Sequence, residues 1–595
     1  MAISRQNTLS MLLVSLSIAS LPVVAGVSSV SPSVAKMHTI FNDQWARELQ
    51  ENPVRASYLG DRRYNRQWQD LSAAARATSH EGDVKALSDL QGIDYELLGE
   101  EERINYELFE RQYRDRIEAY QFESDLMPIS QRGGIQTLDE TGNRLRMKTV
   151  ADYDDWIARL NQIDSYMDQT INLMKEGMAK GIVPPKIIMQ RVPAQIKKQL
   201  VSSPEQSLFY KPFANIPDHF TPVEKNRITS AAREVIGEKV VPAYQKLYEF
   251  FNKTYLPACR ESIGASELPN GRAYYEFRVR QFTTTEMTPD EVHQLGLNEV
   301  ARLRKEMAEV IEEVGFEGTF EEFIHFLRTD PKFYYDNPEE LFEGYLAVAK
   351  RIDPQLVNLF GKLPRMPYGL KEIPEAIAPD TTTAYYTRPA ADGSRAGYYY
   401  VNLYKPETRP KYEMEVLTVH ESVPGHHLQI ALQQELEQLP DFRRYSGFTV
   451  FVEGWGLYSE RLGYELGLYK DPYSRFGQLT YDMWRAVRLV VDTGMHYKAW
   501  SRQKAIDYFL ANAARQELDI VNEIDRYISW PGQALAYKLG QLKFLELRQR
   551  ATTALGDKFD IRAFHDTVLG KGAVPLSVLE KMVEEWIEAT LLEEE

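Results

Sequence analysis

The 595 residues contain ten histidines, and three of them fall in one octapeptide, His420-Glu421-Ser422-Val423-Pro424-Gly425-His426-His427. A helix carrying His-Glu-x-x-His holds a zinc ion beside a carboxylate general base. Here the second histidine comes later. On a regular helix, positions i and i+4 lie about 40° apart around the axis and about 6 Å apart along it, so two imidazoles at that spacing share one ion. His426, six positions after His420, faces a widely different direction. His427 shares the face of His420 but stands about 10.5 Å further along. Pro424 has no amide hydrogen and clashes with the preceding turn, and Gly425 reaches dihedrals closed to other residues. The pair is expected to break the helix and swing a later histidine back beside His420. His426, directly after Gly425, is the expected second ligand, with His427 as the alternative.

A catalytic zinc site takes three protein ligands and keeps one position open. The third is expected from Phe451-Val452-Glu453-Gly454-Trp455-Gly456-Leu457-Tyr458, where Glu453 is the only acidic residue between Asp441 and Glu460. A carboxylate among such apolar neighbours is costly to bury unless it is paired or on a metal. Glu460, seven positions on, either orients a ligand histidine from behind or pairs with Arg461 in solvent. Glu421 is the expected general base, passing a proton from water to a leaving amine. A tyrosine from a later segment is expected to donate to the oxygen that becomes negative. His496 follows Asp492 by four positions. It is a candidate second proton donor in a cleft, or a core histidine held by Asp492. Arg485 and Arg488 are candidates for a substrate carboxylate, or structural ion pairs. Coincident histidines on a surface helix are the bland alternative for the whole cluster.

The elements that must position these groups read as helices. Amphipathic patterns run over 101–122, 153–178 and 222–255, the last with a break expected at Val241-Pro242. Thr288-Pro289-Asp290-Glu291 reads as a capping box with proline in the first turn. The strand signals are Ala384 to Thr387 and Gly397 to Leu403, with Asp392-Gly393 as the turn of a hairpin. Their tyrosines suit a half-buried strand or the edge of a peptide-binding cleft. From Lys411 the pattern is helical, interrupted at 438–447, 468–473, 529–532 and 570–575. The class is mostly α with a small β element just before the histidine cluster. The expected division is a signal over 1–25, a flexible lead-in over 26–37, an N-terminal helical region over 38–270 and a catalytic helical region over 271–595.

With 70 Lys+Arg against 86 Asp+Glu the formal charge is −16, which argues against a nucleic-acid surface. The one cysteine, Cys259, allows no intramolecular disulfide and no cysteine zinc finger. It reads as a buried or capping thiol. Arg5, the apolar run Met11 to Val24 and Val23-Val24-Ala25 read as a cleavable export signal. The run is short for a spanning helix and is followed by no cysteine for lipid attachment, so a soluble, periplasmic or secreted mature protein is expected, with no stable membrane insertion.

Four stretches resemble the bacterial "domain of unknown function 885" family: His420 to Gln429, Phe451 to Tyr458, Arg488 to His496, and Pro531-Gly532-Gln533-Ala534-Leu535-Ala536-Tyr537-Lys538. Tyr274 to Glu286 is similar to it as well, and the resemblance spans roughly residues 40 to 590. That family is grouped with the gluzincin metallopeptidases, near the thimet-oligopeptidase and Taq-type carboxypeptidase families. The resemblance implies a large helical fold around a deep channel, a Zn2+ cofactor and a peptide substrate. It assigns His420, His426 and Glu453 as ligands, Glu421 as base and Tyr537 as the transition-state tyrosine. Phe451-Val452-Glu453 matches the stretch that holds the ligand glutamate in thimet oligopeptidases. The expected function is therefore an exported zinc peptidase acting on short peptides. The alternatives are a non-catalytic peptide-binding protein on the same scaffold, or a metal-dependent hydrolase of another amide or ester.

Overall fold

The computed structural model describes residues 31–375, 378–390, 393 and 395–592. It is mostly helical with one three-stranded sheet, as the sequence patterns require. The expected export signal lies outside the described residues. Helix α1 (Pro32–Glu51) starts inside the stretch expected as a lead-in over 26–37, whose first part also lies outside the described residues. Met37, with Ile40 and Phe41 three and four positions on, is buried with them on one face and holds the helix to the core.

The stretch expected as one helix over 153–178 divides at Asn161 and Gln162 into Val150–Leu160 and Ile163–Lys180. The helix from Pro222 runs on to Ala258, and the break expected at Val241-Pro242 does not occur. Instead π turns, Ile236–Val240 and Phe251–Tyr255, stand just ahead of Pro242 and Pro257. A widened turn shifts the hydrogen-bond ladder where proline has no N–H to give. Cys259 ends this helix as a buried thiol, with Sγ bonded to the Tyr255 carbonyl at 3.3 Å. Burial pushes the thiol up to about 12.

Two apolar cores hold the helices together. One gathers Phe41, Phe109 and Tyr113 with Trp455, Tyr458 and Phe544. The other gathers Trp156, Tyr244 and Phe251 with Phe476, Val487 and Ile524. Each draws on residues from both sides of position 270. Helix α2 (Pro289–Glu313) starts with the expected capping box, Thr288 and Glu291 each bonding the other's backbone amide.

The sheet has strands β1 (Tyr368–Glu372), β2 (Ala384–Thr387) and β3 (Gly397–Val401) in the order β1-β3-β2. The expected β2–β3 pair is antiparallel, with Tyr386 opposite Tyr399. Asp392 of the expected turn lies outside the described residues. β1, parallel to β3, was not legible: Tyr368-Gly369-Leu370-Lys371-Glu372 has no alternating pattern. β2 is an edge strand.

Five helices follow that matter to the site: α3 (Met414–Glu421), α4 (His426–Glu435), α5 (Thr449–Leu462), α6 (Pro472–His496) and α7 (Glu517–Ser529). Helix α8 (Ala536–Leu555) crosses α5 with backbones in contact. A Cβ on Gly454 would lie 2.5 Å from the Gly540 Cα, so only glycine permits that approach. Among the described residues no helix is long and apolar enough to cross a membrane.

Candidate metal centre

The octapeptide breaks its helix where the sequence requires. α3 ends at Glu421 and α4 begins at His426. The connecting loop keeps its amides paired: Ser422 N donates to Thr418 O at 2.9 Å, Gly425 N to Val419 O at 3.0 Å, and His427 N to Ser422 O at 2.9 Å. The Val423–Pro424 peptide is cis. The Pro424 carbonyl accepts the Trp455 indole N–H at 2.8 Å, which fastens the loop to α5. Gly425 is needed for space and not for an unusual φ. Its φ is −72°, but a Cβ there would stand 2.0 Å from the His420 carbonyl oxygen.

This loop returns His426 to His420. His420, His426 and Glu453 each offer a ligand atom, and these atoms lie within 4.8 Å of one another. Glu453 Oε2 is 3.5 Å from His426 Nε2 and 4.0 Å from His420 Nε2. His420 Nδ1 bonds to Glu460 Oε1 at 2.8 Å. That bond fixes the ring and turns Nε2 toward the cluster. Burial holds His420 neutral, well below the usual imidazole range. Glu460 is fully buried, so of its two expected roles it takes the orienting one and not a solvent pair with Arg461. Burial lifts its carboxyl to about 8.

Glu421 and His426 are half-buried, and Glu453 keeps 19% of its side chain exposed, so the cluster is reachable from solvent. Burial, with Glu453 adding to it and His426 opposing, brings the Glu421 carboxyl to about 7. The Tyr386 backbone amide, on the edge strand β2, faces the Glu421 carboxyl and favours its charged form. Tyr537, in the first turn of α8, stands beside Glu453 and Gln533. The Arg488 guanidinium stacks on the Tyr537 ring, 4.2 Å from its centre.

Three candidates do not join the cluster. His427 points the other way. Its Nε2 bonds the Met366 carbonyl and its Nδ1 the Tyr386 hydroxyl, both at 2.9 Å, so neither nitrogen is available. His496 is fully buried between two backbone groups, with Nδ1 accepting from Ala265 N and Nε2 donating to Tyr527 O, each at 3.0 Å. It has no proton to offer a substrate, and burial lowers its pKa to about 3. Asp492 does not hold it. That carboxylate takes the Tyr275 hydroxyl at 2.6 Å and the Gly532 amide at 3.0 Å. Arg485 lies behind the cluster, 3.5 Å from Glu460 and stacked on Trp484, and is a structural partner.

Sequence reasoning did not find Tyr386, Gln533 or the pin from Trp455, since none has a characteristic spacing. It also passed over Glu523, Arg526 and Tyr527, which form one buried ion-paired group with Arg488. Opposite charges three positions apart on a helix were the available signal.

A mostly helical chain with two histidines at a helix break and a glutamate from a neighbouring helix defines the class. Residues 53–583 match the family described as a bacterial protein of unknown function (DUF885), and the chain belongs to that family. A solved structure described as "the putative lipoprotein from Colwellia psychrerythraea" is similar at 30% identity and a TM-score of 0.90, over 94% of this chain and 100% of that one. Another, described as a "putative lipoprotein of unknown function from Shewanella oneidensis", shares the fold at 18% identity and a TM-score of 0.70, over 92% and 99%. No curated protein matches the chain.

Proposed function

We propose that the protein is a zinc-dependent peptidase. The observation that carries this is the convergence of His420, His426 and Glu453 with the Glu421 carboxyl beside them. Two imidazoles and one carboxylate are a donor set that suits zinc. His420 is kept neutral and aimed by Glu460, as a ligand histidine must be. When bound, zinc supplies a Lewis acid and brings the pKa of a coordinated water toward about 7. Glu421 takes the proton from the attacking water and later delivers it to the leaving amine. A carboxylate beside the metal ligands is placed for both steps. The Tyr537 hydroxyl donates to the carbonyl oxygen as it becomes negative. The free edge of β2 offers backbone groups to an extended peptide. The resemblance of Phe451-Val452-Glu453 to thimet oligopeptidases supports the same reading and a gluzincin-type arrangement.

In this reading the protein is exported. Arg5 and the apolar run from Met11 to Val24 support it, and so do the lipoprotein descriptions of both solved relatives. The only cysteine is Cys259, far from that run, so lipid attachment there has no residue to use. Mass-spectrometric profiling of a defined peptide library with zinc-loaded protein tests the proposal. Cleavage that depends on zinc is expected. Absence of any cleaved peptide, with zinc shown to be bound, refutes it.

A further inference from the structure

Beside Tyr537 lies an arginine that the fold leaves without a partner. Ser130 and Gly133 exchange two backbone hydrogen bonds, 2.9 and 3.3 Å, which puts Gln131 and Arg132 at the tip of a tight turn. The turn is fixed to α7. Gln131 Nε2 donates to the Asp525 carbonyl at 2.9 Å, and the Ser529 hydroxyl donates to Gln131 Oε1 at 2.6 Å. Arg132 is exposed and its guanidinium lies over the Trp530 ring, 5.7 Å from the centre. Among the described residues its side chain makes no hydrogen bond or ion pair.

Two more arginines stand behind it. Arg526 reaches Glu523 at 2.9 Å and Gln533 at 2.7 Å, and Arg488 reaches the same Glu523 at 3.0 Å. Arg488 Nη1 is buried with no protein partner. Two guanidiniums therefore share one carboxylate, and Arg132 stands within electrostatic reach of Arg526 and Glu523. Of the other nearby carboxylates, Asp525 is paired with Arg191 and Arg502, and Glu453 belongs to the metal cluster. Arg526 stands close enough to oppose the Arg132 charge, and guanidiniums placed this way favour an anion between them. Gln533 ties this group toward the metal cluster: it accepts from Arg526, and the Tyr537 hydroxyl stands near both Gln533 and Glu453.

We propose that Arg132, backed by Arg488 and Arg526, binds the C-terminal carboxylate of the substrate peptide, so that the enzyme removes residues from peptide C-termini. This rests on the peptidase reading and narrows it to one substrate class. A planar guanidinium matches a carboxylate in two parallel hydrogen bonds, which distinguishes a terminal acid from an amide.

The test uses zinc-loaded full-length protein and a library of N-acetylated hexapeptides, each made as the free acid and as the C-terminal amide. The free acids are expected to be cut near their C-termini with kcat/KM about 10- to 100-fold above the amides, the range of a charge-assisted hydrogen bond. Arg132→Gln, at an exposed turn tip, is expected to bring the acid-to-amide ratio of kcat/KM down toward 1. Amides cut as fast as acids by the wild type, or a variant that slows both forms equally, overturns the proposal. If no peptide is cut, the peptidase reading fails, and equilibrium dialysis of the same pairs against Glu421→Gln protein decides the carboxylate site alone. Free acids retained about 10-fold better than amides, with the difference lost in Arg132→Gln, support it. Equal retention of the two forms overturns it.

Discussion

His420 and His496 both stand in the last turn of a helix, both are buried, and both lie near a carboxylate in sequence or space. Their nitrogens are used differently. His420 gives Nδ1 to Glu460 and keeps Nε2 directed at His426 and Glu453. His496 gives both nitrogens to backbone groups of two other segments. The first arrangement has a lone pair to offer and the second joins pieces of chain. What separates a ligand histidine from a structural one here is the number of nitrogens left over, since burial and the sign of the pKa shift are the same in both.

The largest way to sharpen this contrast is chemical. Glu421→Gln is expected to slow hydrolysis by about 10²- to 10⁴-fold while zinc content, measured by elemental analysis, stays at the wild-type level. Hydrolysis at the wild-type rate would show that Glu421 is not the base. Next, His426→Ala should weaken zinc by more than the roughly 100-fold that losing an outer partner costs, whereas His427→Ala should bind it as the wild type does. Chelator competition reads both, and equal losses would reverse the assignment of the two neighbours. His496→Ala should do the opposite of His426→Ala. Zinc binding stays, but the Ala265 amide and Tyr527 carbonyl lose their partner beside a new cavity, costing about 2–5 kcal/mol in urea unfolding. Glu460→Ala should lower zinc affinity by about 10- to 100-fold.

The smallest effect is one of pH. Burial raises the Asp492 carboxyl to about 7, despite its bonds from Tyr275 and Gly532. An unfolded aspartate titrates near about 3.9, so the folded state holds this proton more tightly. The stabilisation is complete below about pH 4 and is lost as pH rises through about 7. Relative to Asp492→Asn, the wild type should lose stability between pH 5 and 8, by at most about 1.4 kcal/mol per unit. A constant difference between the two across that range would contradict the shift.

Much of this was legible in the sequence because its signals are local. The capping box at Thr288, the β2–β3 pair and the helix break at Pro424-Gly425 each follow from residues next to one another. Glu453 was legible because an isolated carboxylate in an apolar run has few other uses. The losses are non-local. Nothing near His496 says that Ala265 and Tyr527 fill its nitrogens, and nothing near His427 points to Tyr386 and Met366. Pro242 was misread for a different reason. Proline removes one hydrogen bond, and a π turn absorbs the loss without ending the helix. Gly425 was read correctly as necessary, and the close approach of the His420 carbonyl requires it.

The Gly454–Gly540 crossing has a consequence for how the site tolerates disturbance. Glu453 precedes one of these glycines and Tyr537 stands one turn before the other, so main chain pressed on main chain sets the span between ligand and hydroxyl. Side chains can change rotamer, but two touching backbones have no such play. Glu453 and Tyr537 therefore move as one body. A change elsewhere in the core can shift the pair against His420 and His426, but it should leave their mutual spacing alone.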